Sequence, residues 1–261
     1  MLLADAACVA GSRSFPRPVA QLACLSAFAS AEWQLHVTEI PHDSSRVESF
    51  SDAVFAFSAT LLVVALEVPS DSSALIAELH GFWAFGLSFG ALVLLWSVHR
   101  SFFRRYKIAD AWTIFLNSVL LFVILFYVYP LKFITQSLVQ VLGLAASNTS
   151  RVTLDAPEQL QTVFALYGAG FGAIFGCVAM MYRHAGKKSS ALGLSALQTY
   201  EAFELARHYG LFVLTAGISV TVALCNLGFL GMAGGTYFLL GPLCFVHGVW
   251  SEKRAPKASA T

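Results

Sequence analysis

The chain has 261 residues, of which 57% are hydrophobic, 12% charged and 22 are Phe. Soluble domains carry about 25% charged residues, so a chain this poor in charge cannot coat a water-exposed globule, and the composition points to an integral membrane protein. The formal net charge of +1 supplies no field that would draw nucleic acid, which is set aside as a partner.

Residues 1-45 are of mixed composition, with no run long enough to cross a bilayer. Met1 to Ala10 is too short for a cleaved signal peptide and carries Asp5, with no basic stretch before it. Leu22-Ala23-Cys24 has the form of a lipoprotein cleavage site, yet no apolar run precedes it. The segment is expected to be a disordered cytoplasmic extension, or the product of a start codon placed too early.

From residue 50 onward the apolar runs have the length that a hydrocarbon core of ~30 Å requires, about 20 residues at 1.5 Å rise. Six are expected: 49-67, 82-99, 111-133, 160-182, 209-227 and 229-249. They are apolar on all faces, and backbone exposed to lipid must bond within its own segment, so they read as helices. The expected fold is an all-α integral membrane protein with six transmembrane helices over 46-250, followed by a cytoplasmic tail over 251-261. Residues 134-159 form the longest external loop, with a short helix expected from Ile134 to Leu144. Asn148-Thr149-Ser150 in that loop matches a glycosylation acceptor, a pattern common by chance.

Basic residues set the orientation. Arg13, Arg17 and Arg46 precede the first span; Arg100, Arg104, Arg105 and Lys107 lie between the second and third; Arg183, Lys187, Lys188 and Arg207 lie between the fourth and fifth; Lys253, Arg254 and Lys257 follow the sixth. Only Lys132 and Arg151 fall on the other side, beside Glu67, Asp71, Glu78, Asp155 and Glu158. A multi-pass protein of the inner or plasma membrane with both termini cytoplasmic follows, and an even number of spans agrees with six. Arg100, Arg104 and Arg105 read as this topology signal and as headgroup contacts. Glu201, Glu204 and Arg207 read as a solvated amphipathic face, and His247 with Trp250 as an interfacial anchor.

The five cysteines, Cys8, Cys24, Cys177, Cys225 and Cys244, show no CxxC or Cys/His ligand spacing. They read as buried apolar residues rather than redox or metal groups. No cofactor or metal is expected. No carboxylate pair, metal cluster or activated nucleophile is recognisable at membrane depth, so an enzyme is not expected.

The first span holds the least expected residues. An ionised Asp at the bilayer centre costs about 2.5 to 3.5 kcal/mol and less near the interface, so Asp52 needs a partner. His99 at the end of the second span lies at similar depth, Arg46 stands six residues before Asp52, and Trp96 offers an indole N–H one turn from His99. Arg46, Ser51, Asp52, Trp96 and His99 read either as a polar knot fixing the first helix to the second or as a proton relay. The knot is favoured, because a relay would need further ionisable groups at mid-depth. Along the same helix Phe50, Val54, Phe57, Leu61 and Val64 follow 4-3-4-3 spacing, a bulky stripe beside the small residues Ala53, Ala56 and Ala59. Periodicity alone makes that stripe lipid-facing or packed more readily than pore-lining.

Arg46-x-x-x-Phe50-Ser51-Asp52, an apolar run to Thr60-Leu61-Leu62 and Glu67-Val68-Pro69 resemble the first-helix signature of the transmembrane protein 175 family of potassium channels, in its bacterial single-repeat form. Trp96-x-x-His99 with Phe102 and Phe103 resembles the end of that family's second helix. Asn117 and Tyr129-Pro130-Leu131-Lys132-Phe133 resemble its third. The match covers about residues 44-135 well and 160-250 by hydropathy only. The resemblance implies a homotetramer in the lipid bilayer, a potassium-preferring cation channel with helix 1 of each subunit lining a central pore. An apolar constriction would replace the carbonyl filter of other potassium channels, whose Thr-Val-Gly-Tyr-Gly string is absent here. By position from the motif, Phe57 falls at the main constriction, Thr60 at a hydroxyl ring one turn out, and Leu61 and Val64 beside and beyond it. Two departures stand out: Ala53 replaces a Gly, and Phe57 replaces a smaller aliphatic residue, so four Phe rings would close the pore more tightly or offer π-faces to a cation. The alternatives are a proton-conducting channel or proton-coupled transporter using Asp52 and His99, and a non-conducting membrane scaffold.

Overall fold

The structure, a computed structural model, describes residues 42–64, 72–143, 157–225 and 232–254. The extension before residue 42, the loop carrying Asn148 and the last residues of the tail lie outside the described residues, as do Glu67-Val68-Pro69. Helix α1 runs His42–Val64, α2 Ser72–Tyr106, α3 Ala111–Val141, α4 Pro157–Lys187 and α5 Ala196–Leu224; a short α6 (Met232–Gly235) and a 3-10 turn (Thr236–Leu239) lead into α7 (Leu240–Arg254). Six stretches are long and apolar enough to cross a membrane: Ser44–Val64, Phe82–Tyr106, Ala111–Gln140, Gln161–Lys187, Ala196–Leu224 and Met232–Ser251. The architecture is all-helical, as the apolar runs require.

Among the boundaries that differ from the hydropathy reading, three have a local reason, and the expected single run 229-249 is divided by the 3-10 turn Thr236–Leu239. Helix α2 continues to Tyr106, where Lys107 turns left-handed at φ 47° while its N–H still donates to the Phe103 carbonyl at 2.9 Å. Residues from Ile134 to Val141 form no separate helix but continue α3 past Pro130. Helix α5 starts at Ala196, well before the apolar run, because Ser195 and Gln198 close a reciprocal capping box there. The chain reaches that cap through Gly193, whose φ of 61° favours glycine.

Helix α1 rests on α2 and α3, α3 rests on α4, and α4 with α5 forms the most extensive helix pair. Gly168, Gly172 and Gly176 give α4 a side-chain-free face. A Cβ on Gly168 would stand 2.5 Å from Val220, and one on Gly172 would stand 3.2 Å from Ala216, both on α5. Without a hydrophobic force between helices in lipid, such close backbone approach is what holds a pair together. On its next face Gly170 admits the Tyr127 ring of α3, 2.5 Å from where a Cβ would be. The core between α2, α3 and α4 is aromatic: Phe102 meets Phe103 and Tyr182 edge-on at 5.3 and 5.2 Å, and Tyr106 meets Tyr182 at 5.7 Å. Tyr167 on α4 donates to the Pro130 carbonyl of α3.

Ion pairs gather where α2, α4, α5 and α7 end or begin. Arg105 of α2 meets Glu201 of α5 at 3.0 Å. Asp110 caps α3 by accepting from the Thr113 N–H at 3.1 Å, and also takes His184 and Lys188 of the α4 end at 2.7 Å each. Burial opposes ionisation of Asp110, but contacts from Lys188, Thr113 and His184 overcome it and hold its carboxyl well below the usual carboxylate range. Glu204 corrects the sequence expectation of a solvated face. It is buried, with Arg207 on one carboxylate oxygen and His247 of α7 at 3.2 Å from the other. Cys225 departs similarly, being exposed at the end of α5, whereas Cys177 is buried.

Candidate functional site on the first helix

The 3.6-residue period divides α1 into two faces. Ser51, Phe55, Ser58 and Leu62 are buried against α2 and α3. Phe50, Ala53, Ala56, Phe57, Thr60, Val63 and Val64 are exposed. Of the bulky stripe, Phe50, Phe57 and Val64 stand free at 62%, 56% and 75% exposure, whereas Val54 and Leu61 are half-buried at its edge. Free aromatic and aliphatic side chains over several turns of one helix form an unpartnered apolar face.

The buried face is held by a directed hydrogen-bond chain across three helices. Ser51 on α1 donates to the Val47 carbonyl at 2.8 Å and accepts from the Asn117 amide nitrogen of α3 at 2.9 Å. The Asn117 oxygen in turn pairs with Nε2 of His99 on α2 at 2.8 Å. An amide oxygen only accepts, so His99 carries a proton on Nε2. Its ring is sandwiched by Phe55 of α1 and Phe103 of α2, with centroids at 5.5 and 4.8 Å. Buried polar groups of this kind require partners, and the chain fixes which faces meet, although Nδ1 of His99 is buried with no hydrogen-bond partner among the described residues.

Asp52 is one residue on and points the other way. It is exposed, and its Oδ1 accepts from the Trp96 indole N–H at 2.8 Å. The Arg100 guanidinium lies 5.3 Å from the Trp96 ring centroid. Arg46 is exposed, and among the described residues no ion pair joins it to Asp52. The five polar residues singled out in the sequence therefore separate into a buried chain with Ser51 and His99, a surface pair, Asp52 and Trp96, and the exposed Arg46, which joins neither. The link that reading left out of the knot is Asn117. Its signal was an amide in the middle of an apolar span, the residue type that bonds across helices.

The hydroxyls of α1 are directed at its own backbone. Ser58 donates to the Val54 carbonyl at 2.9 Å and Thr60 to the Ala56 carbonyl at 2.8 Å. With its hydrogen so committed, the Thr60 oxygen on the free face has only lone pairs to offer. Among the described residues no group of three or more His, Cys, Asp or Glu side chains could hold a metal ion.

Six membrane-length apolar stretches, the first of them anchored to the second and third helices, define a multi-pass helical membrane protein. Residues 46–127 match the family profile for the endosomal/lysosomal potassium channel TMEM175. The chain is 32% identical over 219 residues to a potassium channel of Marivirga tractuosa, covering 81% of this chain and 89% of that protein. It is also 30% identical over 113 residues to a potassium channel of Chamaesiphon minutus, covering 40% of this chain and 56% of that one. Its fold superposes on the crystal structure of a variant of the potassium channel MtTMEM175 with a TM-score of 0.71 at 31% identity, covering 80% of this chain and 94% of that one. A Chamaesiphon minutus homolog of the lysosomal potassium-selective channel TMEM175 shares the fold at a TM-score of 0.53 and 20% identity, over 80% of this chain and 98% of that one. The chain belongs to the TMEM175 family, a family of channels and not of enzymes.

Proposed function

We propose that this protein conducts potassium across its membrane through a central pore lined by α1 from four copies of the chain. The observation that carries the reading is the free face of α1, where Phe57, Thr60 and Val64 stand exposed while the opposite face is locked to α2 and α3. Four such faces around an axis would leave no apolar stripe in contact with water or lipid except at the conduit itself. Phe57 forms the narrowest ring and gates by dewetting, and the Thr60 oxygens, stripped of free donor hydrogens, replace part of the ion's hydration shell. Relatives that bear the name potassium channel support the choice of ion.

The basic residues at the ends of α2, α4 and α7 support cytoplasmic termini. The buried chain supports an anchoring role for His99 rather than proton transfer. It ends on the Val47 carbonyl, which accepts a hydrogen bond but passes no proton onward.

Potassium flux into liposomes carrying the purified protein tests the reading, with Phe57→Ile and Thr60→Ala beside the native chain. Flux from the native protein or from Phe57→Ile, with a lower K⁺ over Na⁺ ratio in Thr60→Ala, is expected. Flux insensitive to both substitutions would remove α1 from the conduction path. Silence from the native protein and from Phe57→Ile would favour a scaffold.

A further inference from the structure

The phase of α1 sets a charge in line with its free apolar stripe. Phe50 and Val64 lie seven residues to either side of Phe57, two turns to within about 20°. Arg46 lies eleven residues before Phe57, three turns to within about 20°. All four side chains are exposed. Arg46 therefore occupies the same line of the helix as the apolar residues, about 16 Å from Phe57 toward the N-terminal end.

Nothing among the described residues neutralises this arginine. No ion pair reaches it, whereas Arg105 is answered by Glu201 and Arg207 by Glu204. The acids of its own helix point elsewhere. Glu48 is half-buried and about 160° around the helix from Arg46, and Asp52 is about 120° around, with Oδ1 bonded to the Trp96 indole.

We propose that Arg46 of each copy lines the pore mouth at the N-terminal end of α1 and raises an electrostatic barrier to cations there. The inference rests on the reading of α1 as the pore helix: where Phe57 and Val64 face the axis, the residue on their line faces it too. Four guanidiniums around one axis repel a potassium ion together, and only dissolved salt screens them. At low ionic strength the repulsion lowers the local potassium concentration by about fivefold. The same field acts twice as strongly on a divalent cation, so the ring favours monovalent over divalent entry.

The test is initial potassium uptake by liposomes carrying the full-length protein at a fixed potassium concentration. N-methylglucamine chloride raises the ionic strength from about 0.01 M to about 1 M, which shortens the screening length from about 30 to about 3 Å. At low ionic strength Arg46→Gln should take up potassium about fivefold faster than the native protein, Arg46→Glu faster still, and Arg46→Lys at the native rate. The differences should close at high ionic strength. Where Phe57 holds the native pore shut, the same series is read on Phe57→Ile. Uptake by Arg46→Gln and Arg46→Glu at or below the native rate at low ionic strength overturns the proposal. So does a difference that persists at high ionic strength, or a changed rate in Arg46→Lys, since each marks a structural role for the guanidinium. In these outcomes uptake still responds to Phe57→Ile and Thr60→Ala, and the pore reading stands. Uptake from no variant, or uptake insensitive to Phe57→Ile and Thr60→Ala, removes that reading and this inference with it.

Discussion

Nε2 of His99 donates to Oδ1 of Asn117 at 2.8 Å, and the other end of the same amide donates to Ser51, so one side chain on α3 closes α2 and α1 onto it. In lipid the amide and the imidazole have no other partner to turn to, whereas the Ser51 hydroxyl keeps its bond to the Val47 carbonyl. The amide therefore selects the rotation of α1 about its axis, and with it the residues that face outward.

Replacing Asn117 by Ala should leave both His99 and Ser51 without their cross-helix partner. Ser51 keeps its bond to the Val47 carbonyl, so the cost falls on the buried His99 Nε2–H left unpaired, about 1 to 3 kcal/mol. The expected result is an unfolding temperature in detergent well below that of the native protein, with Ser51→Ala milder because Asn117 keeps its bond to His99. Native-like unfolding of Asn117→Ala would mean that packing, not this chain, orients α1.

Single alanines along α4 should have opposite effects on stability. Gly168→Ala places a methyl 2.5 Å from Val220 and 3.3 Å from the Ala216 carbonyl, a clash that costs about 1 to 3 kcal/mol. Gly176→Ala meets Val213 at an ordinary 3.9 Å and should be neutral or stabilise by about 0.5 to 1 kcal/mol through its helix preference. Thermal unfolding of the two variants side by side measures the difference. Equal behaviour would remove the close-approach account of the α4–α5 pair.

Asp110 should make stability depend on acidity. Its carboxyl is held below its unfolded value near 3.8, so the contribution from Lys188, His184 and the α3 cap is fully present above that pH. It is lost as the pH falls further and the folded carboxyl takes up a proton. Asp110→Asn keeps a capping oxygen but not the charge, so it should be less stable than the native protein at neutral pH by about 1 kcal/mol, and the gap should close as the pH drops below 3.8. A gap that persists unchanged in acid would show that the charge contributes nothing.

The six spans are legible in the sequence because an apolar run of about twenty residues announces itself whatever its neighbours are. Ala196 to His208 is not, because its charges lower the hydropathy while their partners lie elsewhere in the chain: Glu201 is answered by Arg105, and Glu204 by Arg207 and by His247. The first-helix motif draws the eye to Ser51 and Asp52, yet no local pattern says that Ser51 turns inward to Asn117 while Asp52 turns outward to Trp96. Adjacent residues on a helix diverge by about 100°, and only the placement of α2 and α3 decides which of the two is buried. The spacing Gly168-x-x-x-Gly172-x-x-x-Gly176 does not itself say which helix it meets, which is decided by Val220 and Ala216 of α5.

The serines and threonine of α1 bear on the order in which the protein is assembled. Ser49, Ser51, Ser58 and Thr60 each donate to the carbonyl four residues back, at 2.8 to 2.9 Å, so every one of these hydroxyl hydrogens is satisfied inside the helix itself. Those four hydroxyls therefore make no demand on a neighbour when α1 enters the bilayer, whereas Asp52 meets its partner Trp96 only on α2. Asn117 and His99 have no such local outlet in the folded chain and reach their partners only across helices.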